Sequence, residues 1–189
     1  DVQVTGTGGG TGTSGYNTGV QCSFGGVITT GGTGKVTVTG YGGTNSTGDY
    51  NVGVQIFGAN SMISSAGGDV EVTGTGGGTG ASAYNYGINP YNEGKITAGG
   101  NGKVTVTGYG STNVTGASNA GLDVAGVGAM ITSNNGEVRV TGTGGGTGTS
   151  GTNVGVAVRN AGAISAGGTQ KVIVEGFGGN TTGVSGNEN

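Results

Sequence analysis

The chain has no histidine and no tryptophan, one proline (Pro90), one cysteine (Cys22), and only six basic and nine acidic side chains among 189 residues. Each shortage removes a class of function. Without histidine there is no imidazole to act as general base or to activate a nucleophile near neutral pH. A lone cysteine makes no intrachain disulfide and leaves the redox compartment unread. Six scattered cations in a chain of net charge −3 are no footprint for nucleic acid or an anionic membrane. No apolar run is long enough to insert into a bilayer, and neither a leader peptide nor an initiating methionine is seen, which suits a mature product or a piece of something larger.

What the chain has instead is glycine, 52 residues of it. The Gly-X-Y period of collagen is missing, and valine, isoleucine and threonine recur in short alternating runs that a disordered tract does not require. The stretch VTGTGGGTG occurs three times, at 4–12, 72–80 and 140–148. Taken singly it looks like a phosphate cradle, but such a loop opens a helix and needs a lysine or a ribose-binding acid downstream. Here serine, threonine, glycine and asparagine follow. The calcium-binding GGxGxD pattern fails for a similar reason, since Asp49 stands alone.

Aligned on V-x-V-T-G, the chain divides into units starting at residues 2, 36, 70, 104, 138 and 172, every interval being 34 residues. One domain of 34-residue repeats therefore covers 1–189, with no linker. Each unit reads as three short strands. The first alternates valine with threonine, as in VTVTGYG. The second follows an asparagine, and the third is centred on Ile28, Met62, Ile96, Met130 and Ile164. No segment has a helical period. The expected fold is an all-β solenoid, a parallel β-helix of about five and a half coils, with no helices. A propeller fits less well, because its blades carry four strands.

Columns of equivalent residues support stacking. The residue before each motif is Asp1, Lys35, Asp69, Lys103, Glu137 and Lys171, a sign alternation that suits a charge ladder with a rise of about 4.8 Å per coil. Thr7, Tyr41, Thr75, Tyr109, Thr143 and Phe177 place rings above and below small side chains. Asn17, Asn51, Asn85, Asn119, Asn153 and Asn187 would form an amide ladder, and asparagine also tolerates the left-handed conformation of a coil corner. Cys22 shares a column with Ile56, Pro90, Val124 and Val158. It is expected to be a small core residue, while Pro90 should break one ladder bond. Sequons at Asn45, Asn113 and Asn180 would place glycans on one face.

No catalytic, metal or cofactor site is expected. Asp49, Asp123, Glu71, Glu93 and Glu175 fall in different columns of different units, and an enzyme normally breaks its scaffold to build a site, whereas this repeat looks unbroken. GKVTVTGYGGTN, NVGVQI and MISSAGGD resemble the tandem repeats of large secreted bacterial surface proteins, akin to filamentous haemagglutinin and autotransporter passengers. The resemblance implies a right-handed helix exported to the cell surface, acting in adhesion or as fibre material. The residues alone suggest a rigid extracellular fibre, filament or stalk that associates end to end with more coils, and sideways through Thr5, Thr39, Thr73, Thr107 and Thr141. Two rival readings are a surface adhesin presenting a glycan- or receptor-binding face, and an ice-binding protein using the same threonines.

Overall fold

Branched side chains alternating with threonine pack well on a pleated surface, and the intervening glycine, serine and asparagine supply corners. The computed structural model describes residues 1–179, which form sixteen strands and no helix. The first coil is β1 (Val2–Thr7), β2 (Val20–Ser23) and β3 (Val27–Thr30), and the second is β4 (Val36–Tyr41), β5 (Val54–Phe57) and β6 (Met62–Ser65). The third is β7 (Val70–Thr75), β8 (Ile88–Tyr91) and β9 (Lys95–Ala98), and the fourth is β10 (Val104–Tyr109), β11 (Leu122–Ala125) and β12 (Met130–Ser133). The fifth is β13 (Val138–Thr143), β14 (Val156–Arg159) and β15 (Ala163–Ala166), and β16 (Val172–Phe177) opens a sixth. Each strand pairs in parallel with its equivalent one coil away, so the six first strands of the coils form sheet one, the five second strands sheet two and the five third strands sheet three. The protein is a β-solenoid.

Inward side chains from all three sheets fill the interior. In the second coil they are Val36, Val38, Val54, Ile56 and Ile63, each 0% exposed. Burial of each contributes about 1.5–3 kcal/mol, too little for one coil to offset its own ordering entropy of roughly 1–2 kcal/mol per residue, so stability is shared between neighbours. Cys22 lies in this core against Ile56, and burial raises its thiol pKa.

The repeated glycine motif has a packing cause. A Cβ on Gly40 would overlap the carbonyl oxygen of Gly53, and one on Gly42 would overlap that of Asn51. The same contacts recur in the other coils, so sheet one and the corner before sheet two meet backbone against backbone.

The third sheet corrects the expected 34-residue column. Ile28 pairs with Ile63, Ile63 with Ile96, Ile96 with Ile131 and Ile131 with Ile164, so the spacing alternates between 35 and 33 residues. Ile63 and Ile131 take the core positions expected for Met62 and Met130, which are only partly buried. The cause is the turn before the strand. Coils one, three and five use three residues with two successive left-handed positions, for example Asn92 (φ 38°) and Glu93 (φ 69°). Coils two and four use four residues, with left-handed Gly58 and Asn60, or Gly126 and Gly128. The next connection is one residue shorter in those coils, which restores the total. The structural repeat is thus a pair of coils.

Pro90 interrupts sheet two as expected, and the interruption is repaired. Alternate residues along this sheet donate to the next coil: Val54 to Gly87, Ile88 to Gly121 and Asn92 to Ala125. Pro90 falls in that series with no N–H, which would leave the Asp123 carbonyl without its ladder donor. The side chain of Asn89 substitutes, its Nδ2 donating to that carbonyl at 2.9 Å. Asn89→Ala should therefore cost about 1–2 kcal/mol in urea denaturation, and adding Pro90→Val should return most of the loss by restoring the backbone donor.

Candidate functional site

The asparagine column is a continuous chain of side-chain amides. Nδ2 of Asn17, Asn51, Asn85 and Asn119 donates to Oδ1 of the next asparagine at 2.7, 3.0, 2.9 and 3.2 Å. The same oxygens of Asn85, Asn119 and Asn153 also accept the backbone N–H of the preceding member at 3.0, 3.3 and 3.1 Å. Asn51, Asn85, Asn119 and Asn153 are 0% exposed, and Asn187 lies outside the described residues. The left-handed corner is not at these asparagines. It is one residue earlier, at Tyr16, Tyr50, Tyr84, Ser118 and Thr152, with φ of 56–63°. Turning there points each amide inward to the ladder and the preceding side chain outward.

The charge column is stacked but its side chains do not pair with one another. The short carboxylates of Asp1 and Asp69 accept the backbone N–H of Lys35 and Lys103 at 2.7 and 2.8 Å. The long arm of Lys35 swings to Glu71 in the adjacent column at 2.5 Å, and Arg139 reaches Glu175 at 3.3 Å. Among the described residues no ion pair joins Asp1, Lys35, Asp69, Lys103, Glu137 or Lys171 to another member. A flexible exposed ammonium gains little from any one carboxylate, so reach decides the partner. The contact with Glu71 raises the Lys35 pKa.

Thr5, Thr39, Thr73, Thr107 and Thr141 stand in register on sheet one, and Glu175 continues their row. Tyr41 and Tyr109 are exposed in the neighbouring row, so the face is ridged. The sequon residues Asn45 and Asn113 are exposed and equivalent, 68 residues apart, while Asn180 lies outside the described residues.

The outer surface of sheet two departs from the unbroken repeat expected of the sequence. Tyr16, Tyr50 and Tyr84 stack face to face, with ring centroids 5.0 and 4.9 Å apart and planes within 10°. The next two coils replace the ring by Ser118 and Thr152. In the same coils Ala120 and Val154 follow Tyr86, so large side chains give way to small ones beyond Tyr84. A cavity of about 400 Å³ opens there, lined by Tyr84, Tyr86, Ser118, Asp123, Thr152 and Arg159 among others. A second, also about 400 Å³, shares Tyr84, Tyr86, Asp123 and Arg159 and continues past Tyr50, Gln55, Asn89 and Tyr91.

Asp123 forms the floor where the two cavities meet. Its side chain is 2% exposed, and Arg159 covers it in a bidentate pair, Nε to Oδ1 and Nη2 to Oδ2, both at 2.8 Å. Asn89 Nδ2 reaches the same carboxylate at 3.2 Å. The pair raises the arginine pKa, and burial, then the Asp123 charge, raises that of Tyr86, which stays a neutral phenol. No family model, curated protein or solved structure matches the chain. The groove was missed in the sequence because its residues sit in columns other than those of the motif. Tyrosine at 16, 50 and 84 followed by Ser118 and Thr152 was the available signal.

The terminal rungs differ from the interior. In the first coil Val2, Val4 and Ile28 are only partly buried, and Val158, Val172 and Val174 at the other end are 47, 42 and 47% exposed, against 0% for equivalent inner residues such as Val36, Val38 and Ile63. Among the described residues, the outermost strand of each sheet, β1, β2 and β3 at one end and β16, β14 and β15 at the other, pairs on one side only.

Proposed function

We propose that the protein is a non-catalytic structural element of an extracellular, cell-surface fibre or stalk, lengthened by continued stacking of coils. The terminal rungs carry this reading. Each presents apolar side chains of the core together with a row of backbone donors and acceptors, the combination that a further rung buries and pairs. That rung is supplied by more coils of the same kind, whether in the same polypeptide or in a second copy. The register of the three sheets makes such a rod stiff, and the sequence resemblance to secreted bacterial surface repeats supports a position outside the cell.

Electron microscopy and sedimentation of the chain over a concentration series provide the test. The expected result is unbranched filaments, with a reflection near 4.8 Å along their axis. Val174→Lys, which puts an ammonium into one terminal rung, should shift the material towards monomer while leaving its circular dichroism unchanged. A monodisperse monomer at every concentration would overturn the stacking role.

A further inference from the structure

We propose that the tyrosine-walled groove on sheet two binds a neutral oligosaccharide, with one pyranose ring seated on the outer face of Tyr84. This adds a ligand site to the rod and does not depend on rods joining end to end.

The tyrosine ladder stops at Tyr84. One face of its ring lies on Tyr50, Tyr86 meets it edge-on at 6.5 Å, and no ring stands at the equivalent position of the next coil, Ser118. A flat group resting there would continue the stack. The in-plane surroundings show which flat group fits. Tyr86, Ser118, Thr152 and Arg159 ring the cavity with groups that donate hydrogen bonds, and the three hydroxyls also accept them. Arg159 uses two of its five N–H groups on Asp123 and also hydrogen-bonds Tyr86, which leaves the remainder for a ligand. An apolar face bordered by hydroxyl partners matches a pyranose, whose C–H face packs on the aromatic ring while its hydroxyls point outward in the ring plane. An aromatic ring on Tyr84 would stack equally well but would cover those polar groups without satisfying them.

Charge and length narrow the class further. Asp123 and Arg159 neutralise each other, so the cavity selects neither an anion nor a cation. The second cavity runs on along the same face beside Tyr50, Gln55, Asn89 and Tyr91, leaving room for further sugar units over amides and rings. Asp123 is held too tightly, and too deeply, to be spent on a cation, so its part is to fix the arginine.

The test is titration of the full chain with a panel of neutral hexasaccharides (beta-linked glucose, xylose, mannose and N-acetylglucosamine, and alpha-linked glucose), read by calorimetry and tyrosine fluorescence. At least one should bind and change the tyrosine emission. Tyr84→Ala should weaken it about tenfold or more, whereas Tyr84→Phe should keep it within about threefold. Ser118→Tyr is the decisive variant. Ser118 has φ 63° and Tyr84 has φ 57°, so the new ring can join the stack and fill the sugar's place. It should abolish binding without lowering the melting temperature. No binding across the panel, undiminished binding by a folded Ser118→Tyr variant, or binding of tryptophan-bearing peptides in preference to every sugar would each overturn the proposal.

Discussion

Asn85→Ala should destabilise the chain by about 4 kcal/mol, an unusually large loss for a side chain this small. Oδ1 of Asn85 accepts from Asn51 Nδ2, from the Asn51 backbone N–H and from Ser82 Oγ, each at 3.0 Å, and its Nδ2 donates to Asn119 at 2.9 Å. Four hydrogen bonds disappear together, at roughly 1 kcal/mol net apiece. Some partners recover, since Asn51 Nδ2 also reaches Gly48 O and the single hydroxyl hydrogen of Ser82 can turn to that carbonyl instead. The backbone N–H of Asn51 donates to Asn85 Oδ1 in a fully buried residue, where water cannot readily replace the lost acceptor. Position matters as much as chemistry. The third coil couples the first two to the last two, and weakening it should broaden the urea transition or split it in two. Asn17→Ala, in the half-buried first rung, should cost much less. A loss below about 1 kcal/mol for Asn85→Ala would mean the ladder is ornamental.

Gly74→Ala should cost about 3 kcal/mol, the upper range for forcing atoms into a packed interior. The added Cβ would overlap the Gly87 carbonyl oxygen and stand 2.5 Å from Ile88 Cγ1. Backbone cannot turn aside as a side chain can, so the two sheets must separate locally. Gly31→Ala provides the contrast, because nothing lies within 4 Å of its Cβ position. There the substitution only restricts the unfolded chain and should be neutral or stabilising by up to about 1 kcal/mol. Equal effects at the two sites would contradict the backbone contact between the sheets.

These two columns show why the fold was legible in the sequence. Asparagine at 17, 51, 85, 119 and 153, and glycine at 40, 74, 108 and 142, repeat at 34 residues because each performs the same task in every coil. Strand pairing, and the register and core residues of sheets one and two, followed from that period alone. The third sheet was less legible. Its turn is exposed and takes two forms of different length, and compensation in the following connection hides the change from the overall period. Met62 and Ile63 are both apolar, so residue type did not reveal which faces inward. The charge alternation was visible, but its meaning depended on side-chain length. Aspartate is short enough to hold the next backbone N–H, and lysine is long enough to leave the column.

The groove was the least legible feature because it consists of departures from the repeat. Ser118 and Thr152 matter for what they fail to supply after three tyrosines, and Arg159 matters because it reaches back one coil to Asp123. Such exchanges are ordinary surface variation until the columns are set side by side in space. The bidentate pair over a buried carboxylate then shows that the fourth and fifth coils are specialised together.

A distance between spin labels at Thr5→Cys and Thr141→Cys, in a Cys22→Val background, tests the central geometry most directly. The two positions are joined by four successive pairings in sheet one, Thr5 to Thr39, Thr39 to Thr73, Thr73 to Thr107 and Thr107 to Thr141. Four rungs of about 4.8 Å predict a narrow distribution centred near 19 Å, although more than a hundred residues separate the labels along the chain. A broad distribution, or one centred beyond about 30 Å, would contradict a chain that climbs one rung per repeat.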